Sequence, residues 1–331
     1  MKISFILPQK TPTKHDITPM SKILSELSKE GFDISINKVD KEITHYFTWN
    51  VGKDLYYDAK DKFPNAKFIN LIWDIPQWRI DGKDDYGKNF NWDSYYKPFI
   101  EKADILLSAS EFTQKTIQKN YGIESKVFYM FFDNQSLNKK SLYDFLAMFK
   151  KKDNKKFKII GISRLVPSKK FEILINAISI LKKVNNYNNI SLTLIGSGPE
   201  KSNLKKIAKI KEVPTKFYEN ISRSKLIYIL KSSNLLVAPS VLEGDCGWAP
   251  CEAIFSDIPV IVSDIEVTKE FLKDSVIYFK KNDSDDLSLK IKNFIENKSD
   301  YKKMLDNAKK NLNFYTMNSF KLRLSSLLSE I

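Results

Sequence analysis

Phe157-Lys158-Ile159-Ile160-Gly161-Ile162-Ser163-Arg164-Leu165-Val166-Pro167-Ser168-Lys169-Lys170, with Phe171, Leu174, Ile175, Ile178 and Leu181 following at helical spacing, decides how this chain folds. The apolar run over 156–162 reads as a strand covered on both faces, and the 171–181 stripe as one face of an amphipathic helix. The same alternation recurs on either side. Candidate strands fall at 2–7, 33–38, 44–49, 67–73, 103–109 and 126–132, then at 156–162, 190–195, 215–218, 234–238, 259–263 and 275–279. Between them lie helical patterns such as Met20, Ile23, Leu24 and Leu27. Strand–helix alternation of this kind specifies βαβ units and doubly wound parallel sheets.

The series breaks between Asp133-Asn134-Gln135-Ser136 and Lys150-Lys151-Lys152-Asp153-Asn154-Lys155-Lys156. The expected organisation is therefore an N-terminal domain over 1–134, a linker over 135–155 and a C-terminal domain over 156–315. Leu142, Phe145, Leu146 and Phe149 suit a short linker helix packed on the body, with a basic-aromatic membrane-surface helix as the alternative. A length of 331 residues agrees with two domains. With 42% hydrophobic and 28% charged residues, extensive disorder is excluded. No apolar run is long enough to span a bilayer, Ile3–Leu7 is too short for a signal peptide, and the two cysteines, Cys246 and Cys251, exclude a disulfide framework. A cytoplasmic protein is expected, with peripheral association at an anionic membrane as a further option.

The net charge of +14 is uneven. Residues 1–150 hold 22 basic and 20 acidic side chains, residues 151–250 hold 19 and 7, and residues 251–331 hold 13 of each. One hundred-residue stretch thus carries nearly all the excess. Such a block attracts a phosphate-bearing ligand, a nucleic acid or an anionic membrane, or is simply a solvated lysine-rich face. No nucleic-acid reading motif accompanies it, and aromatic residues are not interleaved there.

Ligands of open α/β sheets bind at the carboxyl ends of the strands. Three loops of the second half carry the chemistry. After strand 156–162, Arg164 and Lys169 put two cations at a strand-to-helix turn, where guanidinium, ammonium and helix dipole all favour an anion such as a diphosphate. After strand 190–195, Gly196-Ser197-Gly198-Pro199 allows close backbone approach and starts a helix on proline. After strand 234–238, Pro239-Ser240-Val241-Leu242-Glu243-Gly244-Asp245-Cys246-Gly247-Trp248-Ala249-Pro250-Cys251-Glu252-Ala253 places two carboxylates around a glycine-containing loop. Carboxylates accept hydrogen bonds from the paired hydroxyls of a ribose or hexose.

Together these loops resemble the retaining glycosyltransferases of family 4, most closely over about 157–272 and more loosely over 1–132. The resemblance implies a GT-B fold: two Rossmann-like doubly wound domains facing each other across a cleft, with the last helix, 316–331, crossing back to the N-terminal domain. It implies a hexosyltransferase that takes a nucleotide-diphosphate sugar as donor and passes the hexose, with retention, to an acceptor hydroxyl on a glycan or lipid. No cofactor or metal is implied. Arg164 and Lys169 would hold the donor diphosphate and stabilise the leaving group, with Gly198 in the adjoining turn. Glu252 would hold the ribose. Glu243 would sit beside the transferred sugar, with Asp245, Cys246, Gly247 and Trp248 contacting its hydroxyls. Competing readings are a nucleotide-sugar-binding protein without catalysis and a basic nucleic-acid-binding protein.

The sequence departs from the family at several points. Eight residues separate Glu243 from Glu252 where the family has seven, and Lys170 stands where it usually has glycine. The glycine pair often found after the first strand is absent between Pro8 and Pro19. Trp73 falls where a histidine is usual, leaving Asp74 to face the reaction centre. Ser110 and Glu111 resemble a family strand end, with a helix N-cap as the plainer reading of Ser110. His15 and His45 lack metal-ligand spacing and read as loop or surface residues. Cys246 and Cys251 read as packing. The aromatic-rich stretch 73–96, with Trp73, Trp78, Tyr86, Phe90, Trp92, Tyr95 and Tyr96, reads as an acceptor wall or as core.

Overall fold

The computed structural model describes residues 1–7, 17–48, 53–73, 89, 91–138, 156–244, 247–297 and 301–331. Two six-stranded sheets, parallel throughout, organise two units. The first unit contains the described residues up to Asp133 and Phe314–Ile331, and the second contains those from Asn134 to Asn313.

In the first unit, β1 (Lys2–Ile6), β2 (Asp33–Ile36), β3 (His45–Thr48), β4 (Lys67–Ile72), β5 (Ile105–Ser108) and β6 (Lys126–Val127) lie in the order β2-β1-β3-β4-β5-β6. Helices α1 (Ile17–Lys29), α2 (Lys53–Lys62), α3 (Trp92–Glu101) and α4 (Glu111–Tyr121) connect them. Ile3, Phe5, Phe47, Ile69, Leu71 and Leu107 point to one face of the sheet and Ile6, Tyr46, Phe68, Ile72 and Leu106 to the other, each set in its own core cluster. Ser110 caps α4, its hydroxyl accepting from Thr113 N at 3.0 Å, while Thr113 Oγ1 donates to Trp73 O at 3.1 Å and ties the helix start to the end of β4. Trp73 packs on the core and Tyr96 is fully buried.

In the second unit, β7 (Phe157–Ile162), β8 (Ile190–Ile195), β9 (Thr215–Tyr218), β10 (Leu235–Ala238), β11 (Val260–Ser263) and β12 (Ile277–Phe279) lie in the order β12-β11-β10-β7-β8-β9. Their helices are α5 (Phe171–Asn185), α6 (Lys201–Ile210), α7 (Arg223–Lys231), α8 (Trp248–Phe255), α9 (Glu266–Leu272), α10 (Ser284–Glu296) and α11 (Tyr301–Leu312). The α5 stripe of Phe171, Leu174, Ile175, Ile178 and Leu181 is buried with Leu192, Leu194, Leu235, Val237 and Ile261. Burying each such side chain contributes roughly 1.5–3 kcal/mol.

Two sequence readings need correction. The run over 126–132 pairs as a strand only at Lys126–Val127. Phe128, Met130 and Phe131 are buried instead against the last helix, α12 (Met317–Glu330), through Phe320 and its neighbours. His45 is a strand residue rather than a loop residue. It lies half-buried on β3, where burial, and after it the neighbouring positive charges, pulls its imidazole below the ordinary value. The expected linker helix at 142–149 lies outside the described residues.

Candidate functional site

β7 is the switch point of the second sheet. From it the chain winds outward through β8 and β9 on one side and through β10, β11 and β12 on the other. Ligands of open α/β sheets bind outside the carboxyl ends of the strands at such a switch point. The loops after β7, β8 and β10 are joined there by backbone hydrogen bonds. Leu165 N donates to Ser197 O at 2.7 Å, Glu200 N to Leu165 O at 2.9 Å, and Val241 N to Ser168 O at 3.0 Å.

Gly196 and Gly198, at φ +152° and +153°, make the first of these junctions possible. A Cβ on Gly196 would overlap the Ser163 carbonyl, and one on Gly198 the Leu165 carbonyl. The two glycines are thus required by the approach of one loop to another, which accounts for them before any ligand is considered.

The one-turn 3₁₀ helix Pro167–Lys169 brings Lys169 inward to 7% exposure. Its ammonium lies 2.6 Å from Glu243 Oε1, a carboxylate contributed by the loop after β10. Lys169 and Glu243, 74 positions apart in sequence, therefore form an ion pair across the switch point. An ammonium has three donors, so the contact leaves Lys169 capacity towards an anion. Arg164 is exposed on the same loop. The next helix, α5, starts from Lys170 in the left-handed conformation, φ 50° and ψ 37°, with no side-chain cap on its first amides. Its N-terminus adds partial positive charge next to Lys169, which ends the preceding turn.

Glu252 lies on α8, which starts after Gly247 at φ 72° and carries Trp248 half-buried in its first turn. Glu252 is 4% exposed, and its Oε1 is 2.5 Å from the Arg223 guanidinium. A buried carboxylate needs such a partner, because an uncompensated buried charge costs several kcal/mol. Arg223 also donates from Nε and a terminal nitrogen to Ser136 Oγ, at 3.2 and 3.1 Å. Cys251 is buried as a packing residue.

The structure thus joins Lys169 to Glu243 and stitches the Arg164 loop to the Gly198 turn. Asp74, Asp245 and Cys246 lie outside the described residues, as do His15, Trp78, Tyr86 and Phe90. Arg223 is the residue that sequence reasoning missed. Its one local signal is a cation in the first turn of a helix that Ser222 caps and that has no acidic first-turn residue, an arrangement the helix dipole disfavours. Among the described residues there is no group of three or more His, Cys, Asp or Glu able to hold a metal ion, and no helix long and apolar enough to cross a membrane.

Two units built on parallel sheets with flanking helices, each Rossmann-like, define a GT-B fold. Solved structures agree. Sucrose-phosphate synthase from Thermosynechococcus elongatus superposes with a TM-score of 0.79 at 12% identity, over 99% of this chain and 98% of that one. Anabaena HepE, in complex with UDP, gives 0.76 at 15% identity over the whole of both chains. The family profile described as Glycosyl transferases group 1 matches residues 144–311, and the chain belongs to that family. A curated relative, the O-antigen chain mannosyltransferase RfbU of Salmonella typhimurium, is 29% identical over 201 residues, 60% of this chain and 52% of the relative. The chain thus matches about half the length of that protein.

Proposed function

We propose that this protein is a retaining glycosyltransferase that moves a hexose from a nucleotide-diphosphate sugar to an acceptor hydroxyl on a glycan or lipid. The observation that carries this reading is the Lys169–Glu243 pair at the switch point of a sheet whose residues match the family profile. Two further likenesses support it. HepE has been solved with UDP and with UDP-glucose, and RfbU transfers mannose.

The chemistry follows from the charges. Breaking the bond from the anomeric carbon to the diphosphate leaves negative charge on the departing oxygens. Lys169, held by Glu243, and the α5 N-terminus are in place before the reaction, and with Arg164 they stabilise that charge as it develops, a kind of contribution worth several kcal/mol in catalysis. Glu243 holds Lys169 in place and lies beside the sugar, able to accept a hydroxyl hydrogen bond. Glu252 accepts from the donor ribose.

Thermal shift with UDP, GDP and ADP, followed by assay of the matching nucleotide hexoses for transfer and hydrolysis, tests this reading. A ligand at 100 times its Kd stabilises the folded state by about 2.7 kcal/mol. Arg164→Ala should keep the fold, lose that stabilisation and lose turnover. Full turnover in Arg164→Ala would overturn the diphosphate assignment, and binding with no turnover by the native chain would make it a nucleotide-sugar-binding protein.

A further inference from the structure

We infer that Arg223 is a positioning residue for the donor ribose, acting through Glu252; this rests on the reading that Glu252 accepts from the ribose. A carboxylate offers about four acceptor sites on two oxygens. Arg223 contacts Oε1 at 2.5 Å, which fixes the rotation of the carboxylate. The guanidinium is itself fixed, because two of its nitrogens donate to Ser136 Oγ. The geometry is a relay in which Ser136 holds Arg223 and Arg223 holds Glu252, so the orientation in which Glu252 would meet a diol depends on Arg223.

The surroundings support a role beyond stability. Arg223 opens α7, where the helix dipole disfavours a cation in the first turn. Such local conflicts persist where another requirement outweighs them. The long crossover from the edge strand β9 to β10 returns α7 over the sheet with its N-terminus at the carboxyl ends of the strands, the same end that carries the Lys169–Glu243 pair. Arg223 remains 23% exposed while Glu252 is buried, so the cation shields its partner from solvent on one side.

The test compares a nucleoside diphosphate with its 2′,3′-dideoxy counterpart, using whichever of UDP, GDP and ADP binds the full-length protein. The native chain should prefer the ribonucleotide by about tenfold or more, the loss expected when a hydrogen bond to a charged group is removed. Arg223→Ala and Arg223→Gln should weaken the ribonucleotide by a similar factor and leave the dideoxy form nearly unchanged, so the preference collapses. Arg223→Lys, which keeps the charge, should restore part of it, and Ser136→Ala should lower it less. Variants that keep the native preference would overturn the role of Arg223 while leaving the ribose reading intact. A native chain with no preference would overturn the ribose reading itself. If Arg223→Ala fails to fold, Arg223→Lys and Ser136→Ala carry the comparison.

Discussion

Single residues at the switch point are set by backbone geometry as much as by charge. Gly196 has its φ in the left-handed range, and its Cβ position is filled by the Ser163 carbonyl. Gly122, which ends α4 at φ 68°, has nothing within 4 Å of its Cβ position. Gly122→Ala should therefore cost only the left-handed penalty of about 1–2 kcal/mol. Gly196→Ala must in addition push apart the loops after β7 and β8, adding about 1–3 kcal/mol and moving the Arg164 segment. Urea denaturation of both variants, with nucleoside diphosphate binding alongside, checks this. Equal destabilisation, or unchanged binding in Gly196→Ala, would contradict it. Lys170 shows the same physics from the other side. At φ 50° it holds a conformation that glycine adopts without penalty. Lys170→Gly should leave stability within about 1 kcal/mol of native, whereas the β-branched Lys170→Val should lose about 1–2 kcal/mol in the same measurement.

Elements follow local patterning until tertiary burial imitates it. β4 and β5 are locked at their starts by Asp104, which accepts from Phe68 N at 2.8 Å and lies 3.2 Å from Lys67 Nζ. Burial alone would push the Asp104 carboxyl up. The Phe68 hydrogen bond, with the hydrogen bond and charge of Lys67, outweighs it and holds the group below the ordinary carboxylate value. A carboxyl depressed on folding stabilises above its unfolded value of about 4, and that contribution disappears as pH falls through the lower folded value. Asp104→Asn should thus be slightly less stable than native at pH 7, with the difference closing towards pH 3 in urea melts; a difference that is constant with pH would exclude this origin. The central strands were legible because a strand covered on both faces is a continuous apolar run, whereas the edge strands β2 and β9 mix polar and apolar residues and were placed by the strand–helix alternation around them. β6 was overextended because Phe128, Met130 and Phe131, covered by a helix, show the same apolar pattern as residues covered in a sheet. The Lys169 and Glu243 loops were legible from the types of residue they hold. Their pairing, and the role of Arg223, depend on strand order, which places β10 beside β7 and returns α7 to the same end of the sheet. No sequence window contains that information.

At the scale of the whole molecule, the chain assigns its last segment to the unit where it began. Met317, Phe320, Leu324, Leu327 and Leu328 repeat at helical spacing along α12, and all are buried with Ile3, Phe5, Leu24 and Leu27 of the first unit. Phe132 bridges to Thr316 in parallel, and Lys321 lies 2.8 Å from Glu30. Arg323 holds the helix further. It donates to Phe314 O and Tyr129 O at 2.5 and 3.0 Å and stacks on the Phe314 ring, while burial pulls its guanidinium down to about 10, still charged at neutral pH. Each of these five buried side chains contributes roughly 1.5–3 kcal/mol of burial, a large loss for a domain whose net stability is about 5–15 kcal/mol. The second unit has its own core, in which no residue of α12 takes part. A chain cut after Asn313 should accordingly unfold one unit and spare the other. In hydrogen exchange, amides of β1, β3 and β4 should lose protection by several orders of magnitude, while those of β7, β8 and β10 keep it. Phe320→Ala, costing about 3–5 kcal/mol, should give a weaker version of the same pattern. Equal loss of protection in both sheets would mean that α12 supports the molecule as one cooperative body, and no loss in β1 would mean that the first unit holds without it.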